Sequence, residues 1–107
     1  MKRRAHPDPD DDAPIGGLAK ALCAITSAGE MRAFLEDLCT PAELEAMSDR
    51  WRVVPLLLQG VPYREIHDRT LVSVTTVGRV ARTLERGAGG YDAAVRRSAT
   101  PRTARTR

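Results

Sequence analysis

Large aromatic side chains are scarce in this sequence: one Trp, one Phe and two Tyr among 107 residues, 4% in all. A core must therefore be packed from medium-sized aliphatics, and a domain this small is marginal when it folds alone. Cysteine is almost absent as well. Cys23 and Cys39 lie far apart, outside any C-x-x-C pattern, and His6 and His67 complete no ligand set with them. Both cysteines read as reduced, small apolar residues, with no metal site, disulfide or cofactor expected. Long apolar runs are missing too. Ile15–Ile25 is too short to span a bilayer and is broken by Gly16, Gly17 and Lys20. The basic Lys2–Arg4 leads into Pro7 and Asp8 rather than an apolar stretch, so no secretory signal is visible. A cytoplasmic protein with no membrane partner is expected. Catalytic constellations are also lacking: no Ser–His–Asp, Cys–His or paired-carboxylate arrangement stands out. The glycines of residues 87–90 have neither the preceding strand nor the following residues of a phosphate loop. Nothing points to an enzyme.

What is present is helical periodicity, flanked by polar tails. Residues 1–14 carry three prolines and four aspartates and read as a disordered N-terminal tail. Leu18, Leu22 and Ile25 recur at helical spacing, with Gly29 as the expected end of that helix. A second helix is predicted over Glu30–Leu38, its stripe being Met31, Phe34, Leu35 and Leu38. Thr40-Pro41-Ala42-Glu43 is a capping box with proline at the first helical position. The helix it opens is expected to run to Gln59, burying Leu44, Met47, Trp51, Val54 and Leu58, with a kink at Pro55 and a stop at Gly60. Tyr91–Arg97 is a further short helix with Tyr91, Ala94 and Val95 inward. Residues 98–107 read as a disordered basic tail: Arg96–Arg107 holds five arginines and no acid. The folded domain is thus placed at residues 15–97.

The stretch Tyr63–Leu84 organises the rest. It reads as a short helix with Ile66 inward, a tight turn, and a second helix. In that second helix Val77, Val80, Ala81 and Leu84 form the packed stripe. Thr75, Arg79 and Arg82 lie on the opposite face, with Thr76 and Thr83 beside them, and Ser73 stands at the N-cap. A cationic outer face on the second of two such helices makes a helix-turn-helix candidate; two helices of a plain bundle are the other reading. The net charge of +3 is too mild to decide between them.

The order of the motifs adds a resemblance. Phe34–Leu44 (FLEDLCTPAEL), Ser48–Trp51, Gly60–Ile66, Thr75–Val80 and Gly90–Asp92 resemble the Trp-repressor superfamily, in particular its YerC/YecD-like branch. The resemblance covers Met31 to Val95. It implies an all-α fold, an intertwined homodimer, and a helix-turn-helix from each subunit reading successive major grooves of a near-palindromic site on double-stranded DNA, as in the Trp repressor itself. The implied function is a sequence-specific transcriptional regulator, a repressor. A helical dimer that keeps the fold as a protein-interaction module is the alternative.

Residues can then be given roles. Ser73, Val74, Thr75, Thr76 and Arg79 open the reading helix and are the base-reading candidates. Arg64, Arg69 and Arg82 are the phosphate candidates. Thr40, Arg50 and Arg79 fall on positions that frame the tryptophan co-repressor in the Trp repressor. Val80 stands where a glycine makes room for the indole, so tryptophan is not expected to bind. Two departures from the pattern concern the motif itself. The turn Thr70-Leu71-Val72 has no glycine, so a remodelled turn is expected, and Gly78 sits inside the reading helix.

Overall fold

The computed structural model of the chain describes residues 13–105, with side-chain environments for 14–98. Among the described residues there are six α-helices and no strand: α1 (Ala13–Ala24), α2 (Ala28–Leu38), α3 (Pro41–Leu58), α4 (Tyr63–Thr70), α5 (Val74–Arg86) and α6 (Gly90–Arg105). The expected N-terminal tail lies outside the described residues except for Ala13 and Pro14, which open α1. The chain divides into two compact units, Met1–Leu44 and Glu45–Arg107.

Local signals account for the helix ends of the first unit. The Ser27 hydroxyl accepts from the Glu30 amide at 3.1 Å and starts α2. Gly29 therefore belongs to the first turn of α2 rather than ending α1, which corrects the sequence expectation: a side-chain N-cap satisfies an orphan amide that glycine leaves bare. The capping box forms as expected. The Thr40 amide donates to Glu43 Oε1 at 2.8 Å, and the Glu43 amide donates to Thr40 Oγ1 at 3.1 Å. Within this unit Leu22, Ile25, Met31, Phe34 and Leu35 are half-buried, Leu18 and Leu38 are exposed, and no described residue is buried.

The core belongs to the second unit. Val53 and Val54 of α3, Ile66 of α4, Val72 of the turn, and Val77 and Val80 of α5 are buried together. Leu56, Leu57, Val61, Leu84, Tyr91 and Val95 pack around them. Ile66, Val77, Val80 and Val54 face inward as their spacing predicts. Met47, Trp51 and Leu58 do not: they are 39%, 40% and 51% exposed. At about 100° per residue, the face of α3 that the chain itself buries is rotated roughly a quarter turn from the expected one. α4 and α5 cover the Val53/Val54 side and leave the Met47–Trp51–Leu58 stripe outward.

α3 continues through Pro55 as a single helix and gives way at Gly60, whose φ of 81° suits a residue without Cβ. α6 also differs from expectation. It runs on to Arg105, past the expected end at Arg97, so most of the expected C-terminal tail is helical backbone. Alanine and arginine, frequent in that segment, are among the better helix formers, and the Ser98 hydroxyl ties back to the Ala94 carbonyl at 2.7 Å. Tyr91 and Val95 face the core as expected, whereas Ala94 is exposed.

Candidate nucleic-acid interface

α4 and α5 are joined by Leu71-Val72-Ser73, and the geometry of this turn is the first property of the site. Leu71 adopts the left-handed conformation, φ 67° and ψ 8°, where a non-glycine residue costs about 1–2 kcal/mol. The turn was expected to be remodelled to avoid that cost. Instead it keeps the left-handed residue and surrounds it with hydrogen bonds. The Leu71 amide donates to the His67 carbonyl at 2.7 Å, ending α4. The Thr70 hydroxyl donates to the Ile66 carbonyl at 2.7 Å and accepts from the Val72 amide at 3.1 Å. His67 Nδ1 lies 2.8 Å from the Val72 carbonyl; since a carbonyl only accepts, that nitrogen carries the proton. Each such bond contributes about 0.5–1.5 kcal/mol, enough together to offset one left-handed residue. From the sequence, His67 completed no ligand set and Thr70 belonged to a turn without glycine. Both are turn locks, and only the hydroxyl at Thr70, within reach of the carbonyl four residues back, signalled this in advance.

α5 is seated by Val77 and Val80 and capped by Ser73, whose hydroxyl accepts from the Thr76 amide at 3.1 Å. The same hydroxyl donates to Thr76 Oγ1 at 3.1 Å. Ser73 is thus engaged in the cap. Val74, Thr75 and Arg79 are exposed, while Thr76 is half-buried.

The cations differ in availability. Arg64, Arg79 and Arg82 are exposed, and their guanidinium groups make no hydrogen bond or ion pair among the described residues. Arg69 is held by Glu65, with Nη2 and Nε at 2.6 and 3.2 Å from the same carboxylate oxygen. A half-exposed pair of this kind is worth under about 1 kcal/mol, so it biases Arg69 without immobilising it. Arg52 of α3 pairs with Asp49 at 3.6 Å and reaches toward the Thr70 carbonyl at 3.5 Å, bracing the end of α4.

Beside the outward face lies a pocket of about 550 Å³ lined by Ala46, Asp49 and Arg50 of α3, Thr76, Arg79, Val80 and Thr83 of α5, and Tyr91 of α6. Arg50 and Arg79, two of the three residues expected to frame an effector, thus share one cavity. Thr40 does not line it, and its hydroxyl serves the capping box. Val80 combines a place in the lining with full burial in the core. Trp51 stacks near Tyr91, ring centroids 6.5 Å apart and tilted by 35°. No cluster of potential metal ligands occurs among the described residues, and none of the helices is long and apolar enough to cross a membrane.

Comparison with known proteins agrees with this architecture. Residues 15–99 match the family described as Trp repressor protein. An uncharacterized protein, YerC, of Bacillus subtilis (strain 168) is 31% identical over 80 residues, which cover 75% of this chain and 77% of YerC. No solved structure matches the chain.

Proposed function

The chain belongs to the Trp repressor family, and from that premise we propose that it is a cytoplasmic, sequence-specific DNA-binding regulator. It acts as a homodimer on a near-palindromic operator and represses by occupying it. The observation that carries this reading is α5. One face is anchored in the core by Val77 and Val80, while Thr75, Arg79 and Arg82 stand in solvent, with both guanidinium groups unpaired among the described residues. Arg79 forks onto a guanine edge, Thr75 contacts a neighbouring base, and Arg64 and Arg82 bind phosphate. Arg69 joins them when it leaves Glu65. Thr76, half-buried and bonded to Ser73, supports the helix start more than it reads bases.

The homodimer is supported by apolar surface that one chain leaves uncovered: Ile15, Leu18 and Leu38 in the first unit, and Met47, Trp51 and Leu58 in the second. A second copy covers such stripes in a symmetric pair. The pocket holding Arg50 and Arg79 suits a small ligand with a carboxylate, but the β-branched Val80 in its wall leaves tryptophan outside the proposal.

Titration of the purified chain against labelled duplexes selected from a random pool tests the DNA reading. With Arg64 and Arg82 from each of two protomers on phosphates, log affinity falls against log salt with a slope of about −4. Arg79→Ala removes the preference for the selected sequence and leaves the oligomeric state unchanged. Absence of binding at about 50 mM salt, where phosphate contacts are still strong, favours the alternative of a helical dimer serving as a protein-interaction module. Calorimetry with tryptophan and other amino acids tests the pocket.

A further inference from the structure

Leu71 is a large apolar side chain placed where the fold gains little from it. It is 81% exposed, and it is the one non-glycine residue with positive φ among those described. Glycine adopts this conformation without steric cost, so the isobutyl group adds strain and buries little surface in its own chain. The position is nevertheless rigid, because the Thr70 hydroxyl, the Leu71 amide and His67 Nδ1 hold the backbone on both sides. Three residues on, Val74 occupies the first position of α5 and is 44% exposed. Three residues of chain reach at most about 11 Å. Both apolar groups therefore border the end of α5 from which Thr75 projects, and Arg79 follows along the same helix.

Such side chains offer no hydrogen bond to a base edge or a phosphate. On the major-groove edges of duplex DNA, the apolar feature they can meet is the 5-methyl group of thymine. We propose that Leu71, flanked by Val74, is a specificity-determining residue that packs on a thymine methyl in each half-site. Rigidity of the turn matters here: a contact of this size survives only if its side chain is already in place before binding. The inference rests on the DNA reading proposed for α5.

The test uses the full-length chain and duplexes it enriches from a random pool. Each thymine in turn is replaced by deoxyuridine, which deletes the methyl group alone. The parent chain loses about fourfold in affinity at one thymine per half-site, the worth of one buried methyl. Leu71→Gly and Leu71→Ala bind the thymine duplex more weakly than the parent does, and they show no loss at that same position. Leu71→Gly meanwhile raises the folding equilibrium constant by about fivefold, since the strain is relieved, so stability and affinity move in opposite directions. Equal deoxyuridine losses in parent and variants overturn the inference while leaving DNA reading intact, as does a Leu71→Gly chain that binds as tightly as the parent. If no duplex is enriched, the inference and the DNA reading fall together.

Discussion

Residues 13–44 and residues 45–105 use the same kind of sequence for different ends. Both carry apolar stripes at helical spacing and well-capped helices. Only the second stretch converts its stripe into burial: among the described residues all six buried side chains, Val53, Val54, Ile66, Val72, Val77 and Val80, come from it. In the first stretch side chains cap the starts of α2 and α3, yet no described residue is buried. Helix signals set where helices start and stop, but a packed partner supplies most of their stability. The first unit and the outward stripe of α3 therefore leave apolar surface uncovered in one chain, the surface that the proposed homodimer would cover, and the second unit is the body that fixes the helix-turn-helix.

The contrast can be broken most severely at Ile66. Ile66→Ala leaves a cavity under both motif helices and costs about 2–5 kcal/mol, read as a drop in the thermal midpoint that does not depend on protein concentration. Next in size is Trp51→Ala. With Trp51 covered by a second copy, its loss raises the dimer dissociation constant by about 100-fold, and sedimentation at several concentrations shows it. A Trp51→Ala chain that stays a dimer at nanomolar concentration contradicts the assignment of that stripe to association. Phe34→Ala in the first unit shifts the same equilibrium in the same direction.

A smaller effect is expected at the turn. Thr70→Val keeps the shape and removes both hydroxyl hydrogen bonds, costing about 1–2 kcal/mol in denaturant unfolding. Combined with Leu71→Gly the cost shrinks, because glycine no longer has to be held in the left-handed region; strict additivity would show that the hydroxyl does not lock the turn. Gly78→Ala is the mildest and has the opposite sign. The added Cβ meets Tyr63 Cε2 at an ordinary 3.7 Å, so the helix gains up to about 1 kcal/mol, visible as a raised midpoint.

Much of this was legible in the sequence. The Thr40–Glu43 capping box, the Ser73 cap, the inward face of α5 and the place of Ile66 all follow from local rules in which a residue and its partner lie within one or two turns. The rotation of α3 was not legible, since Val53 and Trp51 are equally apolar and only the docking of α4 and α5 decides which is covered. Gly29 was misread because two signals competed within three residues and Ser27 satisfied more backbone. The helical course of α6 beyond Arg97 escaped notice because a segment without apolar anchors was equated with one lacking helix formers. At the site, the outward placement of Thr75, Arg79 and Arg82 followed from periodicity. The cavity shared by Arg50 and Arg79 depends on tertiary packing, and their joint presence came from the family resemblance alone. The His67 lock had no sequence signal: its acceptor is a backbone carbonyl of the turn, five residues on, which no residue type announces.

The central claim is that two copies of this chain present two copies of α5 to one DNA duplex. Sedimentation equilibrium of the full-length protein with its selected duplex tests that claim most directly. The predicted species contains two chains per duplex, and the free protein is a dimer at the same concentration. A single chain bound per duplex, or a free protein that remains a monomer at micromolar concentration, would contradict it.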